Sequence, residues 1–252
     1  MMRGEEEIKM QQSVYTPIER EMFHIHTYRC GHAENVSDEE FVKRAVELGA
    51  SRIVFTDHAP FPGNPFGQRM KYEELDEYIT SIRGLHDKYS GEIEVLCGLE
   101  AEYLPTYKNY FEYLREKTDL LIIGQHFYEV DGKYSFELPK DELVDNECMG
   151  ASLAIIRGIE TGLFDVVAHP DRIYRRRKHW ESDMAVYGTN ILYAAQKHNI
   201  PVEINNSSKK HKHHFWPEFW RMIEIDDALR GCKTVNGLDA HFLSELQIFA
   251  IE

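Results

Sequence analysis

The sequence predicts an α/β protein whose parallel strands close into a barrel and carry polar side chains to one mouth. Two observations lead there. Seven short apolar strands alternate with amphipathic helices in strict order along 252 residues, the pattern of consecutive βα units on a parallel sheet. Every strand except the sixth also ends in groups suited to metal binding, or has them just beyond its end. They are His24, His26 and His32 at the first, His58 at the second, Glu100 at the third, His126 at the fourth, His169 at the fifth, and Asp239 with His241 at the seventh. An open doubly wound sheet would place ligands along a crevice and leave those of its edge strands far apart. A barrel delivers all strand ends to one C-terminal mouth, so the closed form is expected, with a metal site at that mouth.

The elements follow in order. EMFHIHT (21–27) reads as strand 1. In the next segment, NVSDEEFVKRAVELGA, Ser37 and Glu40 match a capping box, Phe41, Ala45 and Leu48 repeat at helical spacing, and Gly49 suits the stop. RIVFTDH (52–58) is strand 2, a helix covers roughly 72–89, and EIEVLCGLEAEY (92–103) carries strand 3. A shorter helix near 106–117 precedes strand 4, LLIIGQHF (120–127). Residues 128–139 read as a hairpin or loop turning at Asp131-Gly132. A long helix near 141–161 leads to strand 5, FDVVAHPD (164–171), and a helix at about 183–199 to strand 6, PVEINNS (201–207). A last helix at about 217–230 precedes strand 7, CKTVNGLDAH (232–241). Residues 1–20 are expected to form a mobile polar extension and 21–252 a single domain.

Composition removes several functions. The formal charge of −14 makes a long nucleic acid a poor partner. No stretch is long and apolar enough to span a bilayer, and the first 20 residues lack the apolar core of a signal peptide. Cys30, Cys97, Cys148 and Cys232 show no paired spacing, which favours reduced thiols and a cytoplasmic location.

The strand-end residues point to metal chemistry. In a regular strand, residues i and i+2 share a face, so His24 with His26 and Asp239 with His241 could each approach one ion. Singly, a loop histidine such as His32 would ordinarily face solvent. An apolar strand ending in Asp57-His58, however, should not carry two unpaired polar groups into a core. Glu100 offers two oxygens and can bridge cations. The set therefore reads as a multinuclear metal hydrolase.

The run of motifs HIHTYRCGHA (24–33), TDHAP (56–60), GLEAEY (98–103), IIGQHF (122–127), GLFDVVAHPD (162–171) and LDAH (238–241) resembles the PHP (polymerase and histidinol phosphatase) superfamily, from about Phe23 to His241. Through TDHAP, GLFDVVAHPD and the EIN of strand 6 it is most similar to the histidinol-phosphate phosphatase branch. The resemblance implies a distorted (β/α)7 TIM-like barrel with up to three divalent metal ions, of zinc, iron or manganese. It implies one ion on His24, His26, Glu100 and Asp239, a second sharing Glu100 with His126 and His169, and a third on His32, His58 and His241. It further implies hydrolysis of a small phosphate monoester, L-histidinol phosphate, in histidine biosynthesis, by a metal-bridged hydroxide and without a phosphoenzyme. The alternatives are a phosphoesterase acting on nucleotides or oligonucleotides, and a catalytically silent metal-binding protein. An amidohydrolase also opens with H-x-H but commonly bridges its metals with a lysine, and no strand end here offers one.

Around such a site, arginine forks suit phosphate. Arg172 follows His169-Pro170-Asp171 directly, Arg175 continues that loop, and Arg29 lies in the loop after strand 1. Asp57 and Asp171 are candidates to orient a ligand histidine or shuttle a proton, and Glu102 to receive a substrate ammonium. The chain departs from the family pattern at Leu238, where a small polar residue is usual, in the Gly124-Gln125-His126 motif, and in having only SELQIFAIE at its end.

Overall fold

Strands apolar on both faces must be covered on both faces, and the central strands are, whereas the last strand exposes Thr234 and Asn236. The structure, a computed structural model, describes residues 15–249, without the side chains of 140–145. Its strands are β1 (Glu21–Ile25), β2 (Arg52–His58), β3 (Glu94–Ala101), β4 (Leu120–Ile123), β5 (Glu129–Val130), β6 (Lys133–Tyr134), β7 (Val166–Val167), β8 (Val202–Asn205) and β9 (Thr234–Gly237). Its helices are α1 (Asp38–Glu47), α2 (Leu75–Tyr89), α3 (Lys108–Lys117), α4 (Lys140–Glu160), α5 (Ser182–Lys197) and α6 (Pro217–Ile225). Seven strands form one parallel sheet in the order β1-β2-β3-β4-β7-β8-β9. The small antiparallel pair β5–β6 turns at Asp131 and Gly132, both with positive φ.

The sheet curls until its first and last strands meet. Closure is made not by β9 itself but by the irregular segment after it. Leu238 N–H donates to Phe23 O (2.8 Å), Ala240 N–H to His24 O (3.0 Å) and His26 N–H to Ala240 O (2.9 Å). The result is a nearly closed barrel of seven parallel strands with helices between them.

Alternation along the strands separates two apolar layers. Ile53 and Phe55 of β2, and Leu121 and Ile123 of β4, pack outward against the helices. Val54, Leu120, Ile122, Val166 and Val235 meet inside the barrel, with Phe23 and Tyr15. Further toward the C-terminal ends the inward positions turn polar, with Glu100 on β3 and Glu203 on β8, both essentially inaccessible. The lumen is thus oily at one end and ionisable at the other.

Several expectations change. The capping box at Ser37 does not form: Ser37 makes no side-chain cap bond, and the Glu40 carboxylate goes to Lys43 (2.9 Å). The last helix stops at Ile225 and gives way to a 3-10 turn at Asp227–Leu229. Tyr15 is packed against Phe23 and bonded to Glu21 (2.6 Å), while residues 1–14 of the expected extension lie outside the described residues. The H-x-H pair does not sit on regular strand: β1 shifts register between Phe23 and Ile25, and His24 has φ of 70°. Asp239 and His241 likewise lie beyond β9, with Asp239 at φ 50°.

Candidate metal centre

Glu100 is the hub of the mouth. Its Oε1 lies 2.7 Å from His169 Nε2 and 3.7 Å from His126 Nε2. Its Oε2 lies 2.8 Å from His58 Nδ1, 3.6 Å from His24 Nε2 and 3.8 Å from His26 Nε2. Asp239 Oδ1 stands 3.2 Å from His26 Nε2. The His241 ring stacks on that of His26 at 4.2 Å, and His241 Nε2 faces His32 Nε2 at 2.9 Å. All nine strand-end residues singled out from the sequence therefore gather at one place. Donor atoms lie close enough to share an ion in, among others, the groups His24–His26–Glu100, His58–Glu100–His126 and His26–His58–His241. The second of these puts His58 beside Glu100 and His126, where the resemblance grouped it with His32 and His241.

The histidine tautomers are set from outside the cluster. His24 Nδ1 bonds to Glu203 (2.7 Å), His126 Nδ1 to Glu102 (2.9 Å), and His26 Nδ1 stands 3.5 Å from Asp57. His32 Nδ1 bonds to Cys30 O and His241 Nδ1 to Asp239 O, both at 3.1 Å. At His24, His126, His32 and His241 an oxygen bonds Nδ1 and turns Nε2 inward, the arrangement by which an outer acceptor prepares a metal ligand, whereas His26 Nδ1 has no hydrogen-bond partner. The inner atoms His24 Nε2, His26 Nε2 and Glu100 Oε2 are buried without a hydrogen-bond partner. Buried polar atoms left unpaired are costly, and a divalent cation would satisfy all of them. The residues present fit such ions.

Charge agrees with this reading. Burial raises the Glu100 carboxyl, but His126, His58 and His24 outweigh it and hold Glu100 well below the usual range. Asp239 is likewise held well below its ordinary value despite burial, chiefly by Arg172. Burial and the neighbouring His26 push His58 down to about 4, and burial with Arg172 pushes His169 down to about 4. These are neutral imidazoles and ionised carboxylates, the states that bind metal. For His26, burial is outweighed by Asp239 and Asp57, which hold it up at about 9. A cation arriving there would have to displace a proton.

Backbone strain concentrates at the same residues. His24, His169 and Asp239 all have positive φ, at 70°, 30° and 50°, a conformation that costs a non-glycine residue energy and persists where the surroundings impose it. Two glycines make room for the acids. A Cβ at position 124 would fall 1.7 Å from Glu100 Oε1, and one at 237 would fall 1.6 Å from Glu203 Oε1.

The remaining candidates divide. Arg172 and Arg175 line the cavity above the cluster, which has a volume of about 780 Å³. Arg172 is anchored on Asp239 (2.5 Å), Asn205 (3.2 Å) and Ser208, and Arg175 donates to His126 O (3.1 Å). Arg29 is a correction: its fork is buried on Asp38 (2.8 and 2.9 Å) and on Glu77 of α2 (2.8 and 3.0 Å), so it braces α1 and α2 and is not free for phosphate. Glu102 is another, because both its oxygens are taken, by Arg69 (3.0 and 3.1 Å) and by His126. It orients His126, and its pairing with Arg69 offsets the negative charge that would draw an ammonium. Asp57 Oδ1 stands 3.5 Å from His26 Nδ1, and its Oδ2 accepts from the Thr27 hydroxyl. Asp171 does not orient a ligand ring; it accepts from Trp216 N–H (2.8 Å) and Trp220 Nε1–H (3.0 Å) and ties down the loop before α6.

Sequence reasoning missed Glu203, Arg69 and the role of Gly124. Glu203 did carry a signal: an acid between Val202 and Ile204 in a buried strand needs a partner, and it finds His24 and the His169 N–H (2.9 Å).

Residues 23–207 match the family model of the PHP domain, and the chain belongs to that family. A Deinococcus radiodurans protein named "Probable histidinol-phosphatase" is 29% identical over 231 residues, covering 86% of this chain and 85% of that protein. A Bacillus subtilis histidinol-phosphatase is 30% identical over 121 residues, 44% of this chain and 45% of its own. Among solved structures, a Lactococcus lactis histidinol phosphate phosphatase complexed with zinc, L-histidinol and phosphate superposes with a TM-score of 0.69 at 19% identity, covering 89% of this chain and 87% of that one. That likeness concerns the fold. Among the described residues no helix is long and apolar enough to cross a membrane.

Proposed function

We propose that this chain is a metal-dependent phosphatase that hydrolyses L-histidinol phosphate to L-histidinol and phosphate. The observation that carries the reading is the convergence of seven imidazoles on Glu100 and Asp239, with buried inner atoms that lack any protein partner. The named relatives support the choice of substrate. On this reading up to three divalent ions of zinc, iron or manganese bind there. His24, His26, Glu100 and Asp239 hold one, Glu100 with His126 and His169 a second, and His32, His58 and His241 a third. Imidazole and carboxylate donors suit each of these metals.

Bound cations would neutralise phosphate oxygens and acidify a water to near neutrality. The protein's own share is positioning. Glu203 and Glu102 fix the rings of His24 and His126 so that neither turns away during the reaction, and Asp57 places a carboxylate beside His26. Arg175 presents a guanidinium to the cavity and can pair with a phosphate oxygen. Arg172, locked on Asp239, adds positive charge at the floor without needing to reorganise.

The test is phosphate release from L-histidinol phosphate by protein loaded in turn with zinc, iron and manganese. Turnover with at least one metal, abolished by a chelator, is expected. No release with any of the three would defeat the proposal.

A further inference from the structure

One wall of the cavity is built differently from its floor. Pro65, Phe66, Phe127 and Phe136 line it, together with Gln68 and Arg69. The rings form a mutual cluster: Phe66 to Phe127 at 4.8 Å, Phe127 to Phe136 at 5.3 Å, and Tyr134 stacked on Phe136 at 5.6 Å. They come from three segments, the loop after β2, the loop between β4 and β5, and the turn after the β5–β6 hairpin. The hairpin thus has a consequence at the mouth, since it carries Tyr134 and leads into Phe136.

Two features separate this wall from ordinary core packing. Phe136 is 56% exposed although it belongs to a tight ring cluster, and large apolar groups left in water at a concave site mark binding surfaces. The cluster is also pinned to the floor. The Arg69 guanidinium lies 5.5 Å from the Phe61 and Phe66 ring centres and 5.7 Å from that of Phe127, while its nitrogens hold both oxygens of Glu102, which in turn holds His126. Arg69 is therefore spent on the rings and on Glu102. Phe127 is the next residue after His126, so the wall begins within one residue, about 3.8 Å between Cα atoms, of a proposed ligand.

We propose that Phe66, Phe127 and Phe136 form the specificity-determining surface of the site, and that it recognises the face of a flat ring on the organic half of the substrate. Recognition is by stacking and apolar burial, with no ionised group of the wall left over to bond a ring nitrogen. The inference rests on the phosphatase reading for the phosphate end, but it makes its own claim: a phenyl ring should serve nearly as well as an imidazole.

The experiment measures binding of three amino alcohols to the metal-loaded protein by calorimetry: L-histidinol, L-phenylalaninol and L-alaninol. Each is tested on the wild type, Phe136→Ala and Phe136→Trp. Phe136 is half in water, so its truncation spares the core, and circular dichroism checks the fold. Expected are affinities for L-histidinol and L-phenylalaninol within about tenfold of each other and at least about tenfold above L-alaninol. Phe136→Ala should lower the two ring compounds several-fold without changing L-alaninol, and Phe136→Trp should retain them. Binding of L-histidinol without L-phenylalaninol, absence of any ring preference, or equal losses for all three in Phe136→Ala would each overturn the proposal. Because the readout is binding, a protein that prefers rings yet releases no phosphate would sustain this inference while defeating the phosphatase reading.

Discussion

At the scale of single residues, the site depends on space as much as on donors. Glu100 can occupy the hub only because position 124 has no side chain. Gly124→Ala should displace the Glu100 carboxylate, lowering phosphatase activity by about a hundredfold or more, on the order of 3 kcal/mol in the barrier, with the fold retained by circular dichroism. Unchanged kinetics would show that Glu100 is not held where it is described. Arg29 gives the opposite test. It is a brace between helices, so Arg29→Met should leave Asp38 buried and short of a partner and cost roughly 3 kcal/mol of stability, read by denaturant unfolding, with KM for the phosphate ester unchanged. A large rise in KM at unchanged stability would return Arg29 to the substrate site. Most of the strand-end groups were legible in the sequence because they end apolar runs, whereas His32, in a polar loop, was legible only through its motif. The bracing of Arg29 was not, since its partner Glu77 lies 48 residues away on another helix and nothing local announces it. The left-handed backbone at His24, His169 and Asp239 was hidden for a related reason: histidine and aspartate enter that conformation more often than most residues but do not announce it as glycine does.

At the scale of elements, the central strands were readable because they are buried on both faces and so largely apolar, whereas their ends, and the half-exposed β9, were not. The capping motif at Ser37 failed because Glu40 had a competing lysine one turn on. The seventh strand proved to be two things, a short ladder at β9 and an irregular closing segment. Leu238 belongs to that segment. It is 2% exposed and packs into the outer apolar core, which explains in this chain a leucine where the family usually carries a small polar residue. Leu238→Ser should destabilise the protein by roughly 3 kcal/mol through lost packing while the folded fraction keeps its full metal content. Loss of metal at unchanged stability would instead give position 238 a direct part in the site.

At the scale of the whole molecule, closure of the sheet converts nine residues spread from position 24 to position 241 into one centre. Burial and neighbouring positive groups keep His58, His169 and His241 neutral there, while Glu100 and Asp239 stay ionised. The cost of burying so many polar groups is offset only when cations share them. Ions that bind the folded chain and not the unfolded one should therefore raise its melting temperature, and a chelator should lower it.

The most direct measurement is the metal content of purified, metal-loaded protein and of its Glu100→Gln variant by plasma mass spectrometry. The account predicts more than one tightly bound divalent ion per wild-type chain and a marked loss in the variant, which keeps the shape of the side chain but not its charge. A wild type holding less than one ion, or a variant holding as many as the wild type, would contradict it.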